Sequence, residues 1–172
     1  HGVRGVGFVY IKSGKKITPL LTGGGQERDY RSTTENVAGI AATAKALRLA
    51  MEKLDLFTSK TSQMKAVIRQ ALLDYPDIFV FSGEEDFAPH ILTFGIKGVR
   101  GEVIVHAFED YDIFISTTSA CSSKAGKPAG TLIAMGVEKD KAQSAVRVSL
   151  DLENDMSQVE KFLTKLILIY NQ

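Results

Sequence analysis

The sequence predicts a mixed α/β (α+β) fold, a sandwich of strands and helices in which the strand pairs are not all parallel. Two observations carry this. Short β-branched and aromatic runs at residues 78–81, 91–94, 113–116 and 145–150 are bounded by turn formers, and between them lie segments whose apolar residues recur at the helical period. Strands interspersed with helices in this way build sheet-on-helix layers. The chain has 172 residues, the size of one ordinary domain, so a single core is expected.

Taken in order, residues 8–11 (Phe-Val-Tyr-Ile) lie between Gly7 and Ser13-Gly14 and read as a strand. Pro19 and the Gly23-Gly24-Gly25 run open a long polar loop, a kind of segment that often carries function. From about Thr34, Val37, Ile40, Ala41, Ala44, Leu47, Met51 and Leu54 share one helical face, with hydroxyls of Ser32, Thr33 and Thr34 offered to the free N–H groups of the first turn. A second helix over residues 59–75 places Met64, Val67, Ile68, Ala71, Leu72 and Tyr75 at the same spacing and stops before Pro76, while Lys60, Lys65 and Arg69 read as its wet face. The runs at 78–81 and 91–94 are neighbouring strands, and 102–111 fits a helix better than strict alternation. The strand at 113–116 leads into residues 117–127, a polar, small-residue loop. Short helices at 131–135 and 138–143, a strand at 145–150 and a helix at 156–170 capped by Asn154 or Asp155 complete the chain.

Composition removes several classes of function. Twenty-one Lys plus Arg against twenty Asp plus Glu give a net charge of +1, so bulk attraction to nucleic acid or anionic membrane is not expected. No apolar run approaches the roughly 20 residues of a membrane helix. The single cysteine, Cys121, excludes an internal disulfide and a multi-cysteine metal cage and suits a reducing compartment such as the cytoplasm. His1, His90 and His106 have no ligand spacing, so no metal site is expected; Glu84 and Glu85 read as a solvated loop.

Three features could carry chemistry. Cys121 stands among small polar residues with Lys124 and Lys127 nearby to raise its thiolate fraction, although a lone surface-loop cysteine is the commoner meaning of that pattern. Arg147 lies mid-strand in an apolar run, where a guanidinium is costly unless it meets an anion or faces solvent by ordinary alternation; its fork matches a carboxylate. The glycine triplet, followed by Arg28, Arg31, Ser32 and Thr34 before a helix start, could cradle a phosphate, although no Gly-Lys-Ser/Thr phosphate-loop motif follows.

Five stretches in order bear a family resemblance: the glycine-rich opening at residues 1–10, Gly-Gly-Gly-Gln-Glu-Arg at 23–28 with Arg-Ser-Thr-Thr-Glu-Asn at 31–36, Pro-His-Ile-Leu at 89–92, Ser-Ala-Cys-Ser-Ser at 119–123, and Ala-Val-Arg-Val-Ser-Leu at 145–150. Together they resemble the NifS/IscS-type cysteine desulfurases of the class-V aminotransferase family, pyridoxal-phosphate enzymes of fold type I. The chain departs from that pattern at Val3 and Arg4 (usually Pro-Lys) and at Thr33 and Asp151 (usually Gly).

The resemblance implies a C-terminal fragment: residues 1–33 from the large cofactor-binding domain, 34–57 a linking helix, and 58–172 the small domain, a short, mainly antiparallel sheet packed against helices, with the cysteine loop. It implies that Cys121 takes sulfur from L-cysteine as a persulfide, leaving L-alanine, that Arg147 holds the substrate carboxylate, and that Thr34 donates to the phosphate of pyridoxal 5'-phosphate in the other subunit of a homodimer. A sulfur-acceptor protein is the implied partner, for iron–sulfur cluster assembly or tRNA thiolation. The Schiff-base lysine would lie two residues before His1, so the chain alone is expected to be inactive. The alternatives are another class-V lyase or aminotransferase and a non-catalytic thiol carrier or interaction domain.

Overall fold

The computed structural model describes residues 2–118 and 130–171. The chain divides into two compact units, His1–Leu54 and Asp55–Gln172.

In the first unit, residues 8–11 form no ladder, and Phe8, Val9 and Tyr10 are 70%, 78% and 85% exposed. The expected strand is therefore absent among the described residues: β-branched and aromatic residues favour a pleated surface only where a neighbouring strand offers side chains to pack against. The glycine triplet leads into a 3-10 turn, Gln26–Asp29, in which Glu27, Arg28 and Asp29 all have positive φ. Helix α1, Val37–Glu52, begins later than expected because its N-cap is Asn36, whose side chain accepts from the Gly39 N–H at 3.0 Å. The hydroxyls of Ser32, Thr33 and Thr34 thus do not cap it. Helix α1 has no buried residue, and Val37, Ile40, Leu47 and Met51 on its apolar stripe are all exposed.

Helix α2 spans Leu54–Leu73, all but its first residue in the second unit, which continues with β1 Ile78–Val80, β2 Ile91–Ile96, α3 Gly101–Glu109 and β3 Ser116–Thr117. Then follow α4 Gly130–Ala134, α5 Lys139–Gln143, β4 Val146–Ser149 and α6 Met156–Tyr170. The strands form one sheet in the order β1-β2-β4-β3, every neighbouring pair antiparallel. Helix α6 starts where expected. Asp155 accepts from the Gln158 N–H and the Gln158 side chain returns to the Asp155 N–H, a closed capping box.

Period-two alternation sends Leu92 and Phe94 of β2 and Val146 and Val148 of β4 to one face of the sheet, where α2, α3 and α6 cover them. From the helices come Met64, Ile68 and Leu72, Ile104 and Phe108, and Val159, Phe162 and Leu166. Phe162 stacks on Phe108 with ring centroids 4.9 Å apart and meets Phe94 edge-on at 6.2 Å. A second, smaller cluster of Leu132, Ala142 and Ala145 packs with Phe81 and Val137, so the single core expected from length becomes one main core and a satellite.

The wet face expected on α2 is not wet. Lys65 follows Met64 and precedes Ile68 by three residues, which puts it inside the buried stripe, and it is 6% exposed. Its stem lies against apolar neighbours while Nζ donates to the Ala88 carbonyl at 3.0 Å. Lys60 donates to Leu152 O at 2.6 Å, and Arg69 donates to Ser82 O at 3.3 Å and pairs with Glu84 at 2.7 Å. Three cations of one helix therefore bind carbonyls on two loops. No helix among the described residues is long and apolar enough to cross a membrane.

Candidate functional site

The second unit brings together the surroundings of Arg147. On β4 the burial pattern alternates, with Val146 and Val148 inward and Arg147 and Ser149 exposed. Arg147 therefore stands on the face of the sheet opposite the main core. It lies directly across from Thr93 of β2 on one side and Ser116 of β3 on the other, both half-buried. Directly opposed residues on one sheet face have Cβ atoms about 4.5–5.5 Å apart, so the guanidinium is flanked by two short hydroxyl side chains and overtops both. Among the described residues no Asp or Glu carboxylate lies within ion-pairing distance of it. An exposed cation with small neighbours and no carboxylate partner among the described residues can take an external carboxylate in a bidentate fork.

Strand β3 leads directly to the segment that carries the cysteine. At its end Thr118 donates through its N–H to Ala145 O at 3.4 Å and through its hydroxyl to the same oxygen at 3.3 Å. Cys121, Lys124 and Lys127 lie outside the described residues.

Thr34 belongs to the first unit, outside any helix or strand, three residues ahead of α1, and is exposed, as are Arg31 and Thr33. In the same unit the Gln26 side chain folds back on Gly24, where an added Cβ would meet Nε2 at 2.9 Å. Gln26 Oε1 is buried and finds no donor among the described residues. The hydroxyls of Thr33 and Thr34 and the guanidinium of Arg31 are donors whose chemistry fits the phosphate of a cofactor such as pyridoxal phosphate, whereas the orphaned Gln26 Oε1 is an acceptor and contributes nothing to such a site. Thr34 and Arg31 are the residues here that would hold it.

Sequence reasoning missed the row in which Arg147 stands, because register cannot be read from a sequence; the only signal for it was the hydroxyl residues at Thr93 and Ser116. Among the described residues no three His, Cys, Asp or Glu side chains gather as a metal site would require. His90 instead tilts against Phe57 with ring centroids 5.1 Å apart.

The second unit is thus an antiparallel sheet covered on one face by helices, with the strand residue Arg147 exposed on the other. Residues 1–162 match the family Aminotransferase class-V, and the chain belongs to that family. It is 46% identical over 171 residues to a NifS/IcsS protein homolog of Lactobacillus delbrueckii subsp. bulgaricus, covering 99% of this chain and 44% of that protein. With the cysteine desulfurase IscS of Clostridium botulinum it shares 36% identity over 174 residues, covering 97% of this chain and 44% of that protein. A solved NifS-like protein superposes with a TM-score of 0.76 at 31% identity, covering 94% of this chain and 41% of that one. The NifS-like protein from Rickettsia africae gives 0.72 at 27% identity, covering 92% and 41%. The chain spans less than half the length of the curated relatives it matches.

Proposed function

We propose that the chain supplies the nucleophile and the substrate clamp of a cysteine desulfurase, acting within a longer protein. Arg147 binds the α-carboxylate of L-cysteine, and the Cys121 thiolate attacks the substrate sulfur. The carbon–sulfur bond breaks, a sulfur–sulfur bond forms, and the carbon left behind takes up a proton, so that L-cysteine and a thiol become L-alanine and a persulfide. Pyridoxal phosphate, when bound, supplies the electron sink this cleavage needs. Thr34 donates to its phosphate across a homodimer, and an acceptor protein, serving iron–sulfur cluster assembly or tRNA thiolation in the cytoplasm, then removes the sulfur. On the same resemblance, the 172 residues by themselves are proposed to be inactive.

The single observation that supports this most is the row Thr93–Arg147–Ser116, because it presents a guanidinium with no carboxylate partner among the described residues, on the strand next to β3. In sequence, Cys121 follows Thr118, the residue after β3, by three positions. The test compares alanine release from L-cysteine by the full-length protein and its Cys121→Ala variant, both loaded with pyridoxal phosphate. Alanine from the parent alone, with the cofactor absorbance kept in both, is the expected result. No alanine from the parent rejects the reading; turnover in both would remove Cys121 from the chemistry and favour another class-V reaction.

A further inference from the structure

Two observations agree on what else stands on the face of the sheet that carries Arg147. Ile113 and Ile115 pack against the main core and Thr117 pairs with buried Val146, whereas Phe114 is 80% exposed and Ser116 pairs with Arg147. This alternation sends Phe114 and Ser116 out on Arg147's side. Extending the β3–β4 register by two residues sets Phe114 opposite Ser149, whose partner on the other side is Ile91. β3 itself is only Ser116–Thr117, and on this continued register Phe114 is the diagonal neighbour of Arg147. Such neighbours are about 7–8 Å apart and within reach of aromatic and long side chains.

The face accordingly carries two adjacent rows of opposite character. One holds the guanidinium between the hydroxyls of Ser116 and Thr93; the next has half-buried Ile91 on one side of Ser149 and, on the continued register, the ring of Phe114 on the other. A ligand that puts a carboxylate on the first row lays the group a few ångströms from that carboxylate against the second. A free α-amino acid has this shape: one negative group for the cation, and a side chain that leaves the α-carbon toward the ring.

We infer that Phe114 is a specificity-determining residue, its ring limiting the length of side chain that an amino acid held by Arg147 can carry. The inference rests on the reading of Arg147 as the carboxylate clamp. Ser116 and Thr93 are too short to fill the space beside the guanidinium, so the ring is the bulky boundary on that side of the ladder.

The test is calorimetric titration of the full-length protein, loaded with its cofactor, with L-alanine, L-2-aminobutyrate and L-methionine. The parent is expected to bind alanine more tightly than methionine. In Phe114→Ala that preference falls by about tenfold or more, the scale of one or more methylenes in an apolar site, while alanine affinity changes little; Phe114→Tyr, which keeps the ring, keeps the preference. An unchanged preference in Phe114→Ala, or equal weakening of all three ligands, overturns the inference. Arg147→Ala reports on the underlying reading separately: if alanine binding survives it, the clamp fails and the inference fails with it. If a short peptide ending in a free carboxylate outcompetes all three amino acids, the face serves a protein terminus and the inference is likewise overturned.

Discussion

Arg147 lies directly opposite Ser116 across the β3–β4 ladder, and Thr118, two residues further along β3's path, is tied twice to Ala145 O. The cation and the start of the cysteine-bearing segment are therefore held by the same few backbone bonds. Replacing Arg147 by Ala in the full-length protein is expected to weaken amino-acid binding by about 1.5–3 kcal/mol, the worth of a hydrogen bond to a charged group. Because the side chain is exposed, the melting temperature stays within about a degree or two of the parent. Arg147→Lys recovers part of the affinity but loses the two-point geometry. Calorimetry and thermal unfolding of the same samples check both halves.

Phe162 joins β2, α3 and α6 through its stack on Phe108 and its edge-on contact with Phe94. Phe162→Ala is expected to cost about 3–5 kcal/mol of stability, and Phe162→Leu distinctly less because the cavity left is smaller. Urea unfolding of the chain measures both; a loss below about 1 kcal/mol for the alanine variant contradicts the placement of this ring at the centre of the core.

Lys65 is a buried cation with a specific acceptor rather than a surface charge. Burial, and then the neighbouring Arg69, hold its ammonium below the ordinary lysine range. Truncation to Ala removes both stem and donor and leaves the Ala88 carbonyl without its partner, at an expected cost of about 1.5–3 kcal/mol. Lys65→Met keeps the stem and removes the desolvated charge, so it should cost less. Equal losses in the two variants would show that the stem contributes nothing.

Asp155 caps α6, and its carboxyl is held below the ordinary value of 3.8 first by the Ser157 hydroxyl and then by the Gln158 N–H. A lowered folded-state value means that the cap stabilises the fold fully above the unfolded-state value and loses that contribution as pH falls through the folded one. Thermal midpoints between pH 6 and about pH 2.5 should therefore decline more steeply for the parent than for Asp155→Asn, which keeps an acceptor but cannot titrate. Parallel curves would remove Asp155 from the acid response.

Much of the second unit was legible in the sequence because its elements are amphipathic with clear ends: Pro76 after α2, Asp155 before α6, and the alternation Ala145-Val-Arg-Val-Ser-Leu150 for β4. Residues 8–11 misled, since the same residue types describe a paired strand and an exposed extended segment, and only a partner tells them apart. Lys65 misled for another reason. Its charge suggests solvent while its position in the heptad-like stripe places it inside, and the acceptor that makes this tolerable, Ala88 O, lies 23 residues away. The neighbours of Arg147 were hidden by register, which depends on pairing residues from distant parts of the chain.

The strand order β1-β2-β4-β3 has a consequence for how the molecule is made. Strand β4 is the hydrogen-bonded link between β2 and β3, yet its pairing Thr93↔Arg147 joins residues 54 apart. Contacts of such long sequence separation incur the loop-closure cost before they return any stability, and they slow folding. During synthesis the β1–β2 hairpin and β3 leave the ribosome without the strand that unites them, and a chain stopped short of position 146 holds two sheet fragments with open edges. Premature termination there should yield an aggregation-prone product rather than a smaller folded one.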